Sequence, residues 1–523
     1  MPSLRSERVS LRLRLAGMSA SRFWFVAALI PLVLAAMPAS ASPLAASLRL
    51  PQVAYLGPGE RLSQLTTLRA SASTRGASIV AVTFLLDGKP LGSDTTKPYR
   101  LEIDAGALRA GVHRLRVAAV DSLGRRAKSR AIPVTIVARH ARSLVASPRR
   151  GLRRALARLA RGGVAVRLLP GHYKLSDVSL GSNTRLSGSG RSTVISAPPG
   201  SYERILLVDG RHVRVSDLVL EGSGPGPGDG RAIEVRTGSA DVRISQLGIR
   251  HVRQTGVYAW GSYRDVSVQD SVVDGGKKAD AGVVFEKGRS RDLSVIRTRV
   301  SGFRCYGIDF SYLLHDDPRA ALDAVALDNV ITDISDPTVA DGGSEAGIWS
   351  GGVNAALISN VIRRTGWDGI ETVGSSRRVT IVANTVTATQ TGIYLEHSTN
   401  NSLISGNRIS DVDSGINVEW RYDGIGSDGN SFVGNVIAAA EHGIFVDVGG
   451  NGNHIERNVF LNVSFPVRLQ GSSNNFVRRN RACHIHDELV TMPDGLHEDG
   501  TPAVSEGNRL SGNLVLPCSK LDA

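Results

Sequence analysis

The sequence of 523 residues predicts an all-β chain, a solenoid of short stacked coils behind a small β-sandwich, on three observations. First, a phrase of turn residue, Gly and short alternating strand recurs as TGVYAW at Thr255, AGVVFE at Ala281, YGIDFS at Tyr306 and AGIWSG at Ala346. It continues as DGIETV at Asp368, TGIYLE at Thr391, SGINVE at Ser414 and HGIFVD at His442, with FPVRLQ at Phe465 as a copy in which Pro replaces Gly. Successive glycines lie 26, 25, 40, 22, 23, 23 and 28 residues apart, the length of one solenoid coil. Second, short segments ending in Asn recur in phase, at Asn360, Asn384, Asn407, Asn435, Asn458 and Asn480. Stacked coils would align these amides into an internal ladder, each donating to the next. Third, the larger part of the chain has short alternating strands, frequent turns and no helix-length periodic segment, which excludes a doubly wound sheet.

These phrases resemble the right-handed, single-stranded parallel β-helix proteins, the architecture of pectate lyases, C5-epimerases and many polysaccharide-active or phage-type proteins. The resemblance covers about two thirds of the chain and implies that fold for residues 163–523.

Residues 1–41 read as a secretory signal. Arg5, Arg8, Arg12, Arg14 and Arg22 precede an apolar run from Phe23 to Met37, and Ala39-Ser40-Ala41 offers the cleavage site. That run, interrupted by Pro31, is short for a membrane span. The mature protein is therefore expected outside the cell or on its surface. Residues 50–138 change pattern: VTFLLDGKPLGSDTTKPY from Val82 and GVHRLRVAAVDSLGR from Gly111 resemble a bacterial immunoglobulin-like module, which implies an Ig-like β-sandwich. With no cysteine it would rest on packing alone. Residues 148–162 place Leu152, Leu156 and Leu159 on one side of a helix, a cap for the N-terminal end of the solenoid core.

Cysteine and charge narrow the setting. Cys483 and Cys518 could close the last coil with a disulfide, leaving Cys305 as a buried thiol, and no CxxC or HxxxH spacing suggests zinc. The formal charge is +14, and seventeen Arg and Lys between Arg100 and Pro170 face only Glu102, Asp104 and Asp121. In an exported protein, expected to be a monomer, this basic collar reads as solvated surface or as a contact for an acidic glycan or the cell envelope, not nucleic acid.

Strand alternation locates the candidate site. Counting from each repeat glycine, positions +1 and +3 are apolar and predicted to form the core, so +2 and +4 form an exposed face. That face carries Tyr258, Asp309, Trp349, Glu371, Tyr394, Glu396, Glu419, Asp447 and Arg468. Carboxylates beside aromatics along an open trough suit a sugar chain, because rings stack on apolar sugar faces while acids bind hydroxyls or transfer protons. Glu371, Glu396, Glu419 and Asp309 are the catalytic candidates. Trp349, Tyr394, Trp420 and Tyr258 are candidate sugar platforms, with Arg421, His397 and Arg468 as further substrate contacts.

Glu396, Glu419 and Asp447 share one register roughly 4.8 Å apart, so either one keeps its proton or a cation such as Ca²⁺ sits among them. Glu396 with Glu419 lies near the roughly 5 Å of a retaining glycosidase; Glu371 with Glu396, at roughly 8 Å, would suit inversion. A lyase would instead need cations for a uronate, from Arg421, Arg468, Lys287 or His397, with Tyr394 also at hand. YGIDFS is similar to the YGFDPH motif of alginate C5-epimerases at Tyr306, Gly307 and Asp309, but the family's Pro and His are Phe310 and Ser311 here, with His315 four residues on. The expected function is a secreted polysaccharide lyase or glycoside hydrolase acting on an acidic glycan; the alternative is a non-catalytic glycan-binding or envelope scaffold.

Overall fold

The structure, a computed structural model, describes residues 52–54, 60–62, 65–105, 108–137, 143–200, 202–224, 228–286, 290–310, 323–336, 345–396, 398–419, 426–486, 488–497 and 500–521. The leader, Lys287, Ser311, His315, His397, Trp420 and Arg421 lie outside the described residues.

From Val164 onward the chain is a right-handed parallel β-helix, its strands stacked coil on coil in two continuous sheets of 15 and 21 strands. One coil serves for the rest. Thr380–Val382 pairs with Leu403–Ser405 of the next coil in the smaller sheet, the chain turns at Ala383-Asn384, and Thr385–Leu395 crosses the larger sheet. Ile381, Val386, Ile393 and Leu395 point inward and are fully buried. Repeating this on every coil fuses the interior into one apolar column, since no single coil can bury its own face.

The repeat glycines are needed for space. A Cβ on Gly392 would lie 2.4 Å from the Ile409 side chain and 2.5 Å from the Gly415 carbonyl; Gly369 and Gly347 meet equivalent obstacles one and two coils earlier. The glycine and the residue after it both face the core, so regular alternation breaks there. The residue before the glycine consequently turns outward.

The asparagine ladder runs further than the six expected rungs, from Asn329 through Asn360, Asn384, Asn407, Asn435, Asn458 and Asn480 to Asn513. Each amide nitrogen donates to the next Oδ1 at 2.9–3.0 Å. Each rung also follows a left-handed residue, from Asp328 at φ 57° to Gly512 at φ 64°, which turns the corner between sheets. A parallel ladder, Asn430, Asn453, Asn475 and Asn508, is joined from backbone N–H to the next Oδ1.

Helix α1, Leu152–Arg161, lays Ala155 and Leu159 on the first coils and ends at Gly162, whose φ of 81° and proximity to the Ser182 carbonyl exclude a side chain. The Ig-like module is a sandwich built around Leu68, Val82, Phe84, Leu115, Val117 and Val134. It docks on the smaller sheet: Val80, Ala81 and Val120 meet Ile296, Val325, Leu327, Ile358 and Val382. Buried polar bonds fix the register, Ser93 N–H donating to Gln269 Oε1 and Gln269 Nε2 to the Ser93 carbonyl, both at 2.8 Å.

Cys483 and Cys518 are joined by a disulfide, and Cys305 is half-buried with its thiol pushed up by burial. The disulfide spans 35 residues, so the chain-entropy account gives it on the order of 3–4 kcal/mol. Because coils contact only neighbours, Cys518→Ser is expected to loosen residues 484–521 before the remainder. Limited proteolysis should then nick that segment first; uniform cleavage along the solenoid would contradict this.

Candidate functional site

The larger sheet carries one continuous column at the +2 position. Glu234 pairs with Tyr258, Tyr258 with Val284, Val284 with Asp309, Asp309 with Trp349 and Trp349 with Glu371. Tyr394, Asn417, Phe445 and Arg468 complete it. Beside it runs the column of residues preceding each glycine, in which Tyr306, Ala346, Asp368, Thr391, Ser414, His442 and Phe465 are consecutive. The predicted core positions are inside: Ile308, Phe310, Ile348, Ile370, Ile393 and Ile416 are all fully buried.

The face is less open than alternation suggests. Asp309 is 5% and Glu371 6% exposed, while Trp349, Tyr394, Glu396 and Glu419 are half-buried. Neighbouring strands stand about 4.8 Å away on either side. Glu371 has the rings of Trp349 and Tyr394 as its register neighbours, which leaves little of a short carboxyl to solvent.

At the centre the acids converge. Burial, the Asp368 charge and a hydrogen bond with Glu396 push Glu371 up to about 9, with Glu396 and Asp309 adding repulsion. Glu371 and Glu396 are thus within hydrogen-bonding reach, and the wider spacing suited to inversion does not hold for this pair. The diagonal offset of two residues is closed by the reach of both side chains. Asp368, which the sequence reading did not single out, is raised well above the usual range by burial, against a hydrogen bond from Thr391 and with Glu396 and Glu419 nearby. Tyr306, likewise before its glycine, lies 4.4 Å from the Trp349 ring, centroid to centroid. Glu345 is also raised by burial and accepts from the Asp336 N–H at 2.9 Å.

The calcium triad is not assembled. Asp447 turns back to accept from the Val448 N–H at 2.8 Å, and among the described residues no three His, Cys, Asp or Glu side chains form a group able to hold a metal ion. Tyr258 and Arg468 also stand apart, each four strands from Glu371, or about 19 Å. Tyr258 donates to Glu286 at 2.7 Å under the Arg231 guanidinium, while Arg468 lies over Phe445 and donates to Gln470. The two columns nevertheless share a property. Trp349 Nε1, Asp368 Oδ1, Asn417 Oδ1, His442 Nδ1 and Arg468 Nε lie buried without a hydrogen-bond partner, five of twelve such atoms among the described residues. Concentrating that cost on one face calls for an explanation, and a ligand taking up those bonds supplies one.

Residues 315–481 match the family described as "Periplasmic copper-binding protein (NosD)", and residues 51–117 match "Bacterial Ig domain". No curated protein matches the chain. Among solved structures, the Azotobacter vinelandii mannuronan C-5 epimerase AlgE6 A-module is 15% identical over 72% of this chain and 97% of its own, with a TM-score of 0.46. The Yersinia enterocolitica family 28 exopolygalacturonase is 11% identical over 89% of this chain and 99% of its own, at 0.42. PfbA, a surface adhesin of Streptococcus pneumoniae, is 12% identical over 71% of this chain and 100% of its own, at 0.43. The chain is thus a right-handed parallel β-helix preceded by a bacterial Ig-like module.

Proposed function

We propose that this chain is an exported glycoside hydrolase that cleaves a polysaccharide lying across the +2 column. One observation carries the reading: Glu371, held protonated to about 9, stands two strands from Asp309 with the Trp349 ring between them. Two strands are about 9.6 Å, near the upper end of the carboxyl separation that leaves room for a water in inverting hydrolysis. Glu371 would protonate the glycosidic oxygen, and Asp309 would activate the water on the opposite face. Trp349 and Tyr394 would stack on adjacent sugar rings. Solvent would restore the proton to Glu371 after departure of the leaving group.

Elimination fits these columns less well. A uronate needs cations as its α-carbon loses a proton, yet from Tyr258 to Phe445 the +2 column and the pre-glycine column contain no Lys or Arg. The reading therefore favours a neutral stretch of glycan in the trough. Export is supported by the leader pattern of residues 1–41 and by the Cys483–Cys518 disulfide, a bond that persists in oxidising compartments. Among the described residues no helix is long and apolar enough to cross a membrane.

The test is incubation of the mature chain with neutral and acidic polysaccharides, followed by reducing-end assay and proton NMR of the fresh anomer. New reducing ends with inverted configuration are expected. Unsaturated uronate products would replace this reading with a lyase, and binding without turnover would replace it with a glycan-binding scaffold.

A further inference from the structure

Away from the trough, on the smaller sheet, the Ig-like module and the solenoid enclose a cleft of about 640 Å³. Eight Lys and Arg side chains line it against five carboxyls. The carboxyls are already engaged. Asp241 takes both oxygens to Arg214 at 2.9 Å, Asp265 pairs with Arg243 at 2.7 Å, and Asp94 accepts from the Thr96 and Arg100 N–H groups. Glu102 reaches Arg185 and Arg214 at 3.8 and 3.9 Å, and Asp292 stands 3.8 Å from Arg291.

The cations divide differently. Arg214 and Arg243 form the neutralised floor, whereas Arg69, Lys97 and Arg100 on the module and Arg211 and Arg264 on the solenoid are exposed and, among the described residues, have no acidic side chain paired with them. On the solenoid wall Arg211 aligns with Ala240, Ala240 with Arg264 and Arg264 with Arg291. This basic column is three strand steps long, about 14 Å, which exceeds a single small anion. Among the described residues no Phe, Tyr or Trp lines the cleft, and His212 is its one aromatic ring, so a row of stacking platforms for unpaired bases is not built there. Its two walls form a concave slot, unlike the flat basic face that meets a lipid surface.

We propose that this cleft binds a linear glycan bearing carboxylate or sulfate groups, which would tether the protein to an acidic matrix while the trough works on another segment. The proposal stands on the flank of the solenoid and does not depend on the chemistry assigned to the trough. Anionic groups along the polymer would pair with the column Arg211, Arg264 and Arg291 on one side and with Lys97 and Arg100 on the other.

Calorimetric titration of the mature chain with heparin fragments and with polygalacturonate, at low and at raised salt, tests it. At low salt, R211E/R264E on the solenoid wall and K97E/R100E on the module wall are each expected to weaken binding by about tenfold or more, the difference shrinking as salt screens the exposed charges. Melting curves of both variants should match the parent, and turnover in the trough, where present, should be unchanged. Failure of either wall's variant to weaken binding would overturn the cleft, as would equal binding of double-stranded DNA of matched charge.

Discussion

Glu371→Gln is expected to lower glycan cleavage by about 10²–10⁴-fold, the range of a lost general acid, while leaving substrate affinity near that of the parent. Gln keeps the size of the side chain and a hydrogen-bond donor toward Glu396, but it has no proton to give. The pH dependence separates this from a merely structural role. Turnover by the parent should fall as pH rises through about 9, where Glu371 loses its proton, and that alkaline limb should be missing from the residual activity of the variant.

Stability should follow the same group. The carboxyl is raised from 4.5 to about 9 on folding, so its contribution is fully present below about 4.5 and is lost progressively as pH rises to about 9. Glu371→Gln should flatten that decline, making the variant less sensitive than the parent to a change from pH 5 to pH 10 in urea unfolding. Parallel pH profiles in parent and variant would remove Glu371 from the acid role.

The sequence carried the architecture because the solenoid writes it locally. Ile308, Ile348, Ile370, Ile393 and Ile416 recur one residue after glycine, and their spacing is enough to stack the coils. The same alternation identified Asp309, Trp349 and Glu371 as column neighbours. It failed one residue earlier, because at each glycine two successive positions face inward. Asp368 was not among the candidates and Tyr306 was noted only in the YGIDFS motif, although a glycine whose Cβ would strike a core side chain marks where parity breaks. The outer rungs Asn329 and Asn513 were legible in principle, since DNV and GNL repeat the phrase of the inner ones. Docking of the Ig-like module was not. Ser93 and Gln269 are 176 residues apart, and neither belongs to a repeated pattern that could pair them.

The second large effect concerns the ladder. Asn407 accepts at one oxygen from both the Asn384 backbone N–H and the Asn384 amide, at 2.9 and 3.0 Å. Its own amide donates to the Ile381 carbonyl and to Asn435 Oδ1, each at 2.9 Å. Leu has a similar volume but none of these functions, so Asn407→Leu leaves two donors on Asn384 and the Ile381 carbonyl unpaired in a corner without exposure. At about 1–3 kcal/mol for each orphaned group, the loss should be on the order of 3–6 kcal/mol. Asn513→Leu makes the control: that rung is only half-buried at the end of the ladder, water can replace its bonds, and a loss of about 1 kcal/mol is expected. Nearest-neighbour stacking also fixes where the damage appears, so amide exchange should accelerate at Asn384 and in the coils beside it well before the first coils near Leu180. Equal, small losses for the two substitutions, or acceleration spread evenly along the solenoid, would mean that apolar stacking alone holds the coils in register and the amides contribute little.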